Sequence, residues 1–361
     1  MMNDDEINAL IHLVQPVFSV YEVRRGTDFI ILLGTPKEEI SGIQQFLWSQ
    51  LSHRGYQSAV KYELGENVIV ISRYTQPKDK IWINVALAVA TFFTTMVAGA
   101  SMFGVGFEGM IQSPQNILRG LPFTLAVMLV LGSHEMGHYF MARRYGMRTS
   151  LPYFIPFPLG FGTMGAVIQH RGLIPDRKAL FDVGVAGPVT GIVMSVIVTL
   201  IGLSLEPPNF DLQGDAEFIY LELPPLFQLM TLFVQPKGAV LHPVAVAGWI
   251  GMFVTAMNLI PAGQLDGGHV LRAMIGRRAA YVSSAFPFIL IVIGFIVTYF
   301  MNGNGSLWVF WGLFLSFFAA AGHPSPVNDN EKLDLKRIAL GVLVFAVGLL
   351  CITLVPFQMP A

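Results

Sequence analysis

The amino-acid sequence predicts a polytopic α-helical membrane protein of about seven transmembrane helices, preceded by a small soluble α+β domain. Two observations lead to this fold class. The 361 residues are 53% hydrophobic and only 12% charged, whereas a soluble domain carries roughly 25% charged residues. The apolar residues are also concentrated after Lys80 in stretches of about 20 residues, the length that a helix needs to cross a bilayer. The lipid bilayer is therefore the expected surroundings of most of the chain.

The N-terminal region, residues 1–77, has the composition of a soluble cytosolic domain. Helical spacing of its apolar residues predicts helices at Asp4–Val14 and within 36–53. Short runs rich in β-branched and aromatic residues predict two hairpins, with their strands at 17–23, 29–33, 56–64 and 67–74. Together these elements indicate a small α+β domain.

Seven apolar stretches follow, and each is expected to form a transmembrane helix. They lie at 82–104, 121–142, 181–203, 241–260, 279–300, 306–322 and 338–356. The segment 151–172 is also apolar but is interrupted by prolines and glycines, including Gly162 and Gly165, which predicts a re-entrant or β-like segment against the bundle. Residues 80–300 then form the core, and residues 301–361 supply additional C-terminal transmembrane helices.

The distribution of Lys and Arg predicts the orientation of the chain. With the N-terminal domain in the cytosol, the inner segments that follow it hold 14 basic residues and the outer loops hold only 2. An integral multi-pass protein with a cytosolic N-terminus is therefore expected. A prokaryotic cell membrane is the predicted location, with a plastid membrane as the open alternative.

Composition also limits the chemistry. The formal net charge of −1 and the lack of a basic tract argue against a nucleic-acid partner. The single cysteine, Cys351, excludes a Cys-rich metal site. Any metal must therefore be held by His, Asp or Glu, and nothing in the sequence predicts the oligomeric state.

The second predicted span carries a His-Glu-Met-Gly-His motif that starts at His134. His134 and His138 are one helical turn apart and share a face, where two imidazoles can bind one Zn²⁺. Glu135 lies beside them and can accept a proton from a water held by the metal. A chance polar helix face is the alternative, but three ionisable groups within a lipid-embedded helix are costly and usually functional. The basic Arg143 places this motif near the cytosolic edge.

A third metal ligand is predicted where the fourth span ends. After Asn258, Pro261 and Gly263 should break the helix, so that Asp266 is carried on an irregular segment that bends towards the motif. Two glycines follow it and permit a tight turn. The competing interpretations are that Asn258 caps a helix and Asp266 marks a cytosolic turn, or that His269 is the third ligand.

These two elements, in this order, resemble the site-2 protease family of intramembrane zinc metalloproteases, of peptidase M50 type. That family joins a His-Glu-x-x-His span to a later Asn-x-x-Pro-x-x-x-Leu-Asp-Gly segment, and residues 258–267 match the latter. Residues 162–169, 175–178 and 181–188 resemble the branch of plastid-type members and their prokaryotic relatives. Only about 38 residues separate the second and third spans, too few for the PDZ domain of several relatives. The resemblance covers roughly residues 80–300.

The resemblance implies a zinc-dependent endopeptidase that cleaves transmembrane segments of membrane-anchored proteins, with transmembrane proteins as its partners. It implies zinc ligation by His134, His138 and Asp266, with Glu135 as general base and acid. Asn258 would bind substrate or the developing oxyanion, although an interhelical hydrogen bond is the alternative. A membrane zinc protease of the prenyl-protein type, with a downstream Glu ligand, and an inactive membrane binding protein or chaperone remain open.

The segment 151–169 and the remaining polar side chains also have expected roles. Segment 151–169, with Gly162 and Gly165 as substrate-binding residues, should either offer a backbone edge to an unwound substrate or seal the cavity as a plug. Asp182 is expected at a helix start or interface, with a catalytic role as the alternative. Three histidines are expected to be structural: His170, His242 and His323.

Overall fold

Each of the seven apolar stretches contains an α-helix in the structure, a computed structural model. The structure describes residues 2–63, 65–73, 80–171, 173–208, 220–238, 240–320, 326–329 and 331–358. His323, Gly172, residues 74–77 and the end of the predicted span 306–322 lie outside the described residues.

The N-terminal domain contains one antiparallel sheet covered on one face by two helices. Its elements are α1 Asp4–Val14, β1 Phe18–Arg25, β2 Phe29–Pro36, α2 Ile40–Leu51, β3 Tyr56–Glu63 and β4 Glu66–Arg73. The two predicted hairpins are joined because β2 also pairs with β4, and the strand order is β1-β2-β4-β3. The Asn3 side chain caps α1 by accepting a hydrogen bond from Glu6, and apolar residues of both helices bury the sheet.

The rest of the chain is dominated by helices, with short strands between some of them. In chain order the elements are α3 Ile81–Met102, α4 Phe107–Gln112, α5 Leu121–Arg144, β5 Arg148–Thr149, β6 Tyr153–Pro156, β7 Thr163–Val167, β8 His170–Arg171, α6 Arg177–Ser204, β9 Tyr220–Leu221, α7 Pro225–Thr231, α8 Pro243–Asn258, α9 Asp266–Ile275, α10 Ala279–Phe300, α11 Ser306–Ala320, α12 Leu335–Leu350 and β10 Phe357–Gln358.

Among the described residues, four helical stretches are long and apolar enough to cross a membrane. They are Ile81–Met102, Pro114–Arg144, Arg177–Ser204 and Asp266–Phe300. The helices α8, α11 and α12 have only 15 or 16 residues, fewer than the roughly 20 that span a bilayer. The structure therefore supports four spanning helices, and the predicted number of seven is not established by helix length.

Two predicted spans begin earlier than expected because of their caps. The third was expected from residue 181, but α6 starts at Arg177 because the Asp176 side chain accepts a hydrogen bond from the Ala179 backbone at 2.7 Å. The last was expected over 338–356, but α12 starts at Leu335 because Asp334 caps it in the same way. Both predicted boundaries rest on hydropathy, which does not detect a capping carboxylate.

The segment expected to be re-entrant or β-like forms two antiparallel ladders. β6 pairs with β7 in a hairpin, and β5 pairs with β8. The hairpin lies against α3, where Asn84 donates to the Leu151 carbonyl at 2.8 Å and Thr94 donates to the Gly162 carbonyl at 2.6 Å. Polar side chains of α3 thus satisfy backbone groups that lipid would leave without partners.

The centre of the helical part is formed by α5, α6 and α8. α5 and α6 approach closely because small residues face each other: a Cβ on Gly137 would lie 2.3 Å from the Thr190 hydroxyl. Thr190 also donates to the Ser133 carbonyl at 3.0 Å, which joins the two helices beside the His-Glu-x-x-His motif. The face of α5 that carries the motif is therefore turned into the protein.

Candidate metal centre

The two histidines of the motif lie on one face of α5, as their spacing predicts. Their side chains are buried, with His134 only 3% and His138 only 5% exposed. Their Nε2 atoms are 3.3 Å apart. Two buried imidazoles that direct nitrogens to one point are an arrangement typical of metal ligands.

Asp266 reaches this point from the far side of a break in the chain. α8 ends at Asn258, and residues 259–265 are not helical, with Gly263 in the left-handed region at φ +54°. Asp266 was expected on an irregular segment, but it is the first residue of α9. The two glycines after it are helical, and they let α9 pack directly on the preceding loop: a Cβ on Gly267 would lie 2.1 Å from the Leu259 carbonyl oxygen.

The three side chains converge with a geometry that suits zinc. Asp266 Oδ2 lies 3.1 Å from His134 Nε2 and 3.2 Å from His138 Nε2. The centre of a triangle with sides of this length is about 1.9 Å from each corner, close to the roughly 2.0–2.2 Å of zinc bonds to nitrogen and oxygen. Such a set occupies three corners of a tetrahedron and leaves the fourth open, as catalytic sites require.

The second nitrogen of each ring behaves differently. His138 Nδ1 donates to the Val183 carbonyl of α6 at 2.7 Å, which places the proton on Nδ1 and leaves Nε2 able to bind a metal. His134 Nδ1 is buried without a hydrogen-bond partner among the described residues. The orientation of His138 is thus set by a backbone group, and that of His134 by packing.

Glu135 lies next to the three converging side chains but is not one of them. Glu135 is 5% exposed, and its carboxylate interacts electrostatically with both histidines and with Asp266. The backbone of Ile168, directly after β7, lies close to this carboxylate. A carboxylate held beside the ligand set, on the side of the hairpin, is placed to exchange protons with a reactant there.

The predicted substrate-binding residues occupy different positions. The side-chain amide of Asn258 is 3.5 Å from His134 Nε2, at the edge of the ligand set. Gly165 lies in β7, and its amide donates to the Thr163 hydroxyl. Gly162 instead packs against α3, where a Cβ would lie 2.6 Å from the Thr94 carbonyl oxygen. The structure brings Asn258 to the centre and gives Gly162 a packing contact.

Two glycines of α6, Gly187 and Gly191, border the centre. A Cβ on Gly187 would lie 2.0 Å from His138 Nε2, and one on Gly191 would lie 2.7 Å from His134 Nδ1. These glycines are four residues apart, the same spacing as the histidines on α5. That shared spacing on two adjacent helices is the signal in the sequence that could have identified them.

The other polar groups mostly have partners elsewhere. His269 was the competing third ligand, but it is not part of the cluster of His134, His138 and Asp266 in the described residues. Asp182 accepts hydrogen bonds from Arg337 at 2.8 and 2.7 Å, as expected of an interface group. His170 has a buried Nδ1 without a hydrogen-bond partner in the part of the chain that the structure describes.

Gly162→Ala should lower the stability of the folded protein by about 2 kcal/mol or more, because Gly162 combines φ +82° with backbone contacts to α3. Thermal unfolding of the zinc-loaded chain in detergent measures this. The control is Gly106→Ala, since Gly106 has φ −64° and nothing within 4 Å of a Cβ. If Gly162→Ala unfolds like the wild type but binds substrate more weakly, the substrate-binding role is favoured over packing.

Comparison with known proteins identifies the family. The model of peptidase family M50 matches residues 122–301, which contain both histidines, Glu135 and Asp266. The chain belongs to peptidase family M50. Relatives of this M50 chain include probable zinc metalloprotease EGY1, chloroplastic, of Oryza sativa subsp. japonica, which is 30% identical over 65% of this chain and 40% of its own length. Probable zinc metallopeptidase EGY3, chloroplastic, of Arabidopsis thaliana is 28% identical over 94% of this chain and 63% of its own length.

The M50 chain thus spans about half the length of these curated relatives. Among solved structures, the site-2 protease from Methanocaldococcus jannaschii is similar with a TM-score of 0.35 and 16% identity. That similarity covers 68% of this chain and 92% of the archaeal one.

Proposed function

We propose that this M50 chain is a zinc-dependent intramembrane endopeptidase that hydrolyses peptide bonds in transmembrane segments of membrane-anchored proteins. The observation that carries the proposal is the convergence of His134, His138 and Asp266, with Glu135 beside them, on helices of apolar character. The names of the relatives, zinc metalloproteases, agree with the same chemistry. An inactive binding protein would not require a buried glutamate next to a ligand set.

The proposed metal ligands are His134, His138 and Asp266. Bound Zn²⁺ would supply a Lewis acid that lowers the pKa of a water and polarises the scissile carbonyl. Glu135 would accept the proton of the attacking water and deliver it to the nitrogen of the leaving amine. The Asn258 amide, at the edge of the ligand set, would donate a hydrogen bond to the carbonyl oxygen as negative charge develops on it.

The Val183 carbonyl supports this mechanism by holding His138 in one tautomer. Burial of the ligand set supports it as well, because electrostatic interactions are stronger where water is largely excluded. A third ligand that is Asp266 rather than a downstream glutamate favours the site-2 type over the prenyl-protein type of protease.

We further propose that the β6–β7 hairpin presents substrate to the centre. β6 packs against α3, whereas Met164 and Val167 of β7 are exposed and the backbone of Ile168 lies close to Glu135. A substrate segment that has lost its helical hydrogen bonds could pair with β7 and come to lie beside Glu135. The alternative is that the β6–β7 hairpin is a plug that only seals off the metal centre.

The proposed topology has seven spans, with α8, α11 and α12 crossing together with the four longer stretches. In it residues 1–77 form a cytosolic domain, 80–300 the protease core and 301–361 the C-terminal helices. The excess of basic residues in the inner segments supports a centre that faces the cytosolic side. A prokaryotic cell membrane is the proposed location, and the chloroplastic relatives make a plastid membrane the alternative.

Metal removal tests the proposal. The purified full-length chain in liposomes should contain one zinc and cleave a single-pass reporter within its apolar segment, as mapped by mass spectrometry. A chelator should abolish cleavage, and added Zn²⁺ should restore it. Mg²⁺ should not restore cleavage, because it prefers octahedral oxygen ligands. Cleavage that survives removal of the metal, or that occurs only outside the apolar segment, would contradict the proposal.

A further inference from the structure

We infer that residues 326–329 and 331–334, here called the clasp, position the metal ligand Asp266 through an ion pair between Asp329 and Arg272. The inference rests on the proposed zinc site and adds positioning residues that act through Asp266. The clasp lies beyond residues 122–301, the part of the chain that matches the family model. It precedes α12 and lies near the start of α6 and the last turn of α9.

The clasp is first fixed to the segment that leads into α6. The Val327 amide donates to the Ile174 carbonyl at 2.8 Å, and the Asn328 amide donates to the Pro175 carbonyl at 2.9 Å. These bonds join backbone groups, so they do not depend on the side chains of the clasp. Asp329 is therefore presented from a fixed backbone.

Asp329 is bound by a buried guanidinium of α9. Arg272 is only 4% exposed, and its two terminal nitrogens lie 2.9 and 2.8 Å from the two carboxylate oxygens of Asp329. The hydrogen bonds from Arg272 hold the pKa of the Asp329 carboxyl below its usual range. A bidentate pair of this kind fixes both the distance and the orientation of its partners.

Arg272 shares a short helix with Asp266. α9 has ten residues, and Asp266 is its first. A helix of this length moves as a rigid unit, so a displacement at Arg272 also displaces Asp266 at the metal centre. The clasp therefore controls the position of one ligand relative to the two histidines on α5.

α6 connects the same parts from the other side. The Arg177 guanidinium donates to the Ala273 carbonyl at 2.9 and 2.6 Å and to the Met274 carbonyl at 3.0 Å, in the last turn of α9. α6 also provides Val183, which orients His138. The clasp therefore contacts both α9 and the start of α6, and α6 contacts α9. These three parts are held together beside the proposed ligands His138 and Asp266.

A purely structural role would be the simpler explanation of such contacts. It predicts a loss of overall stability without a specific change in metal binding. Positioning predicts that zinc affinity falls, because Asp266 leaves its place relative to the histidines. Zinc affinity is therefore the measurement that separates the two roles.

The test compares Asp329→Asn and Arg272→Lys with the wild-type full-length chain in detergent. Zinc affinity is measured by competition with a chelator of known affinity, and we expect it to fall by about 10- to 100-fold in both variants, as for other groups that orient metal ligands. Arg272→Lys keeps the charge but loses the bidentate contact. In both variants the visible spectrum of the Co²⁺-substituted chain should also change, because this spectrum reports the coordination geometry of the metal.

The matched control is Glu331→Gln. It removes a carboxylate from the same clasp, but the pair of Glu331 with Lys178 is partly exposed, so zinc affinity should stay at the wild-type value. If Asp329→Asn fails to fold, Arg272→Lys alone decides the outcome. Wild-type zinc affinity and Co²⁺ spectrum in a folded Arg272→Lys variant would overturn the inference. A wild-type chain that binds no zinc would instead overturn the proposed function.

Discussion

Glu135→Gln should reduce cleavage of a transmembrane reporter by about 10²- to 10⁴-fold, the usual contribution of a general acid–base group. The amide keeps the shape of the side chain, but it cannot take a proton from water. Zinc content should be unchanged, because Glu135 is not one of the three converging ligands. Product formation and metal content, measured on the same sample, check both parts of the result.

Glu108→Gln is the control for this experiment. Glu108 is exposed on α4, so the same change of charge is made away from the centre. Its activity should equal that of the wild type. If Glu135→Gln retains activity, the proposed proton transfer is wrong. If the variant loses its zinc, the glutamate acts on the metal site rather than on the reaction.

Gly187→Ala should abolish stoichiometric zinc binding and with it the activity. The added methyl carbon would lie 2.0 Å from His138 Nε2, far inside van der Waals contact, so either the imidazole or α6 must shift. A displaced Nε2 cannot complete a set of three ligands at bonding distance. Metal analysis of the purified variant gives the result directly.

Gly132→Ala is the matched control, since it makes the same change on a membrane helix that borders the centre. There the added carbon would meet only Phe154 at 3.5 Å, an ordinary contact. Its zinc content and activity should match the wild type. Full zinc occupancy in Gly187→Ala would show that α6 does not confine the ligands as the contacts indicate.

Most of the secondary structure could be predicted because it depends on local patterns. The helix at Asp4–Val14 and the one at 279–300 follow from apolar periodicity and hydropathy, and both agree with the structure. The helices that start at Arg177 and Leu335 begin a few residues before their predicted starts, because a capping carboxylate is a single residue outside the apolar stretch. The pairing of β2 with β4 could not be predicted, since it joins two hairpins that are separated by a helix.

The sequence by itself determined which side chains are available to form the candidate metal centre. His134 and His138 share a helix face because of their spacing alone, and Glu135 is adjacent to them in the chain. The proline and glycine that follow Asn258 also required a break before Asp266. These conclusions depend only on helix geometry and on the conformational limits of single residues.

Only the tertiary structure decided how those groups meet. The 3.1 and 3.2 Å contacts of Asp266 with the two histidines depend on the packing of α6 against both α9 and α5. The Val183 carbonyl on His138, Gly187 beside the same ring, and the Arg272–Asp329 pair join parts of the chain that are distant in sequence. Such contacts arise from the packing of whole elements, and no local pattern of residues specifies them.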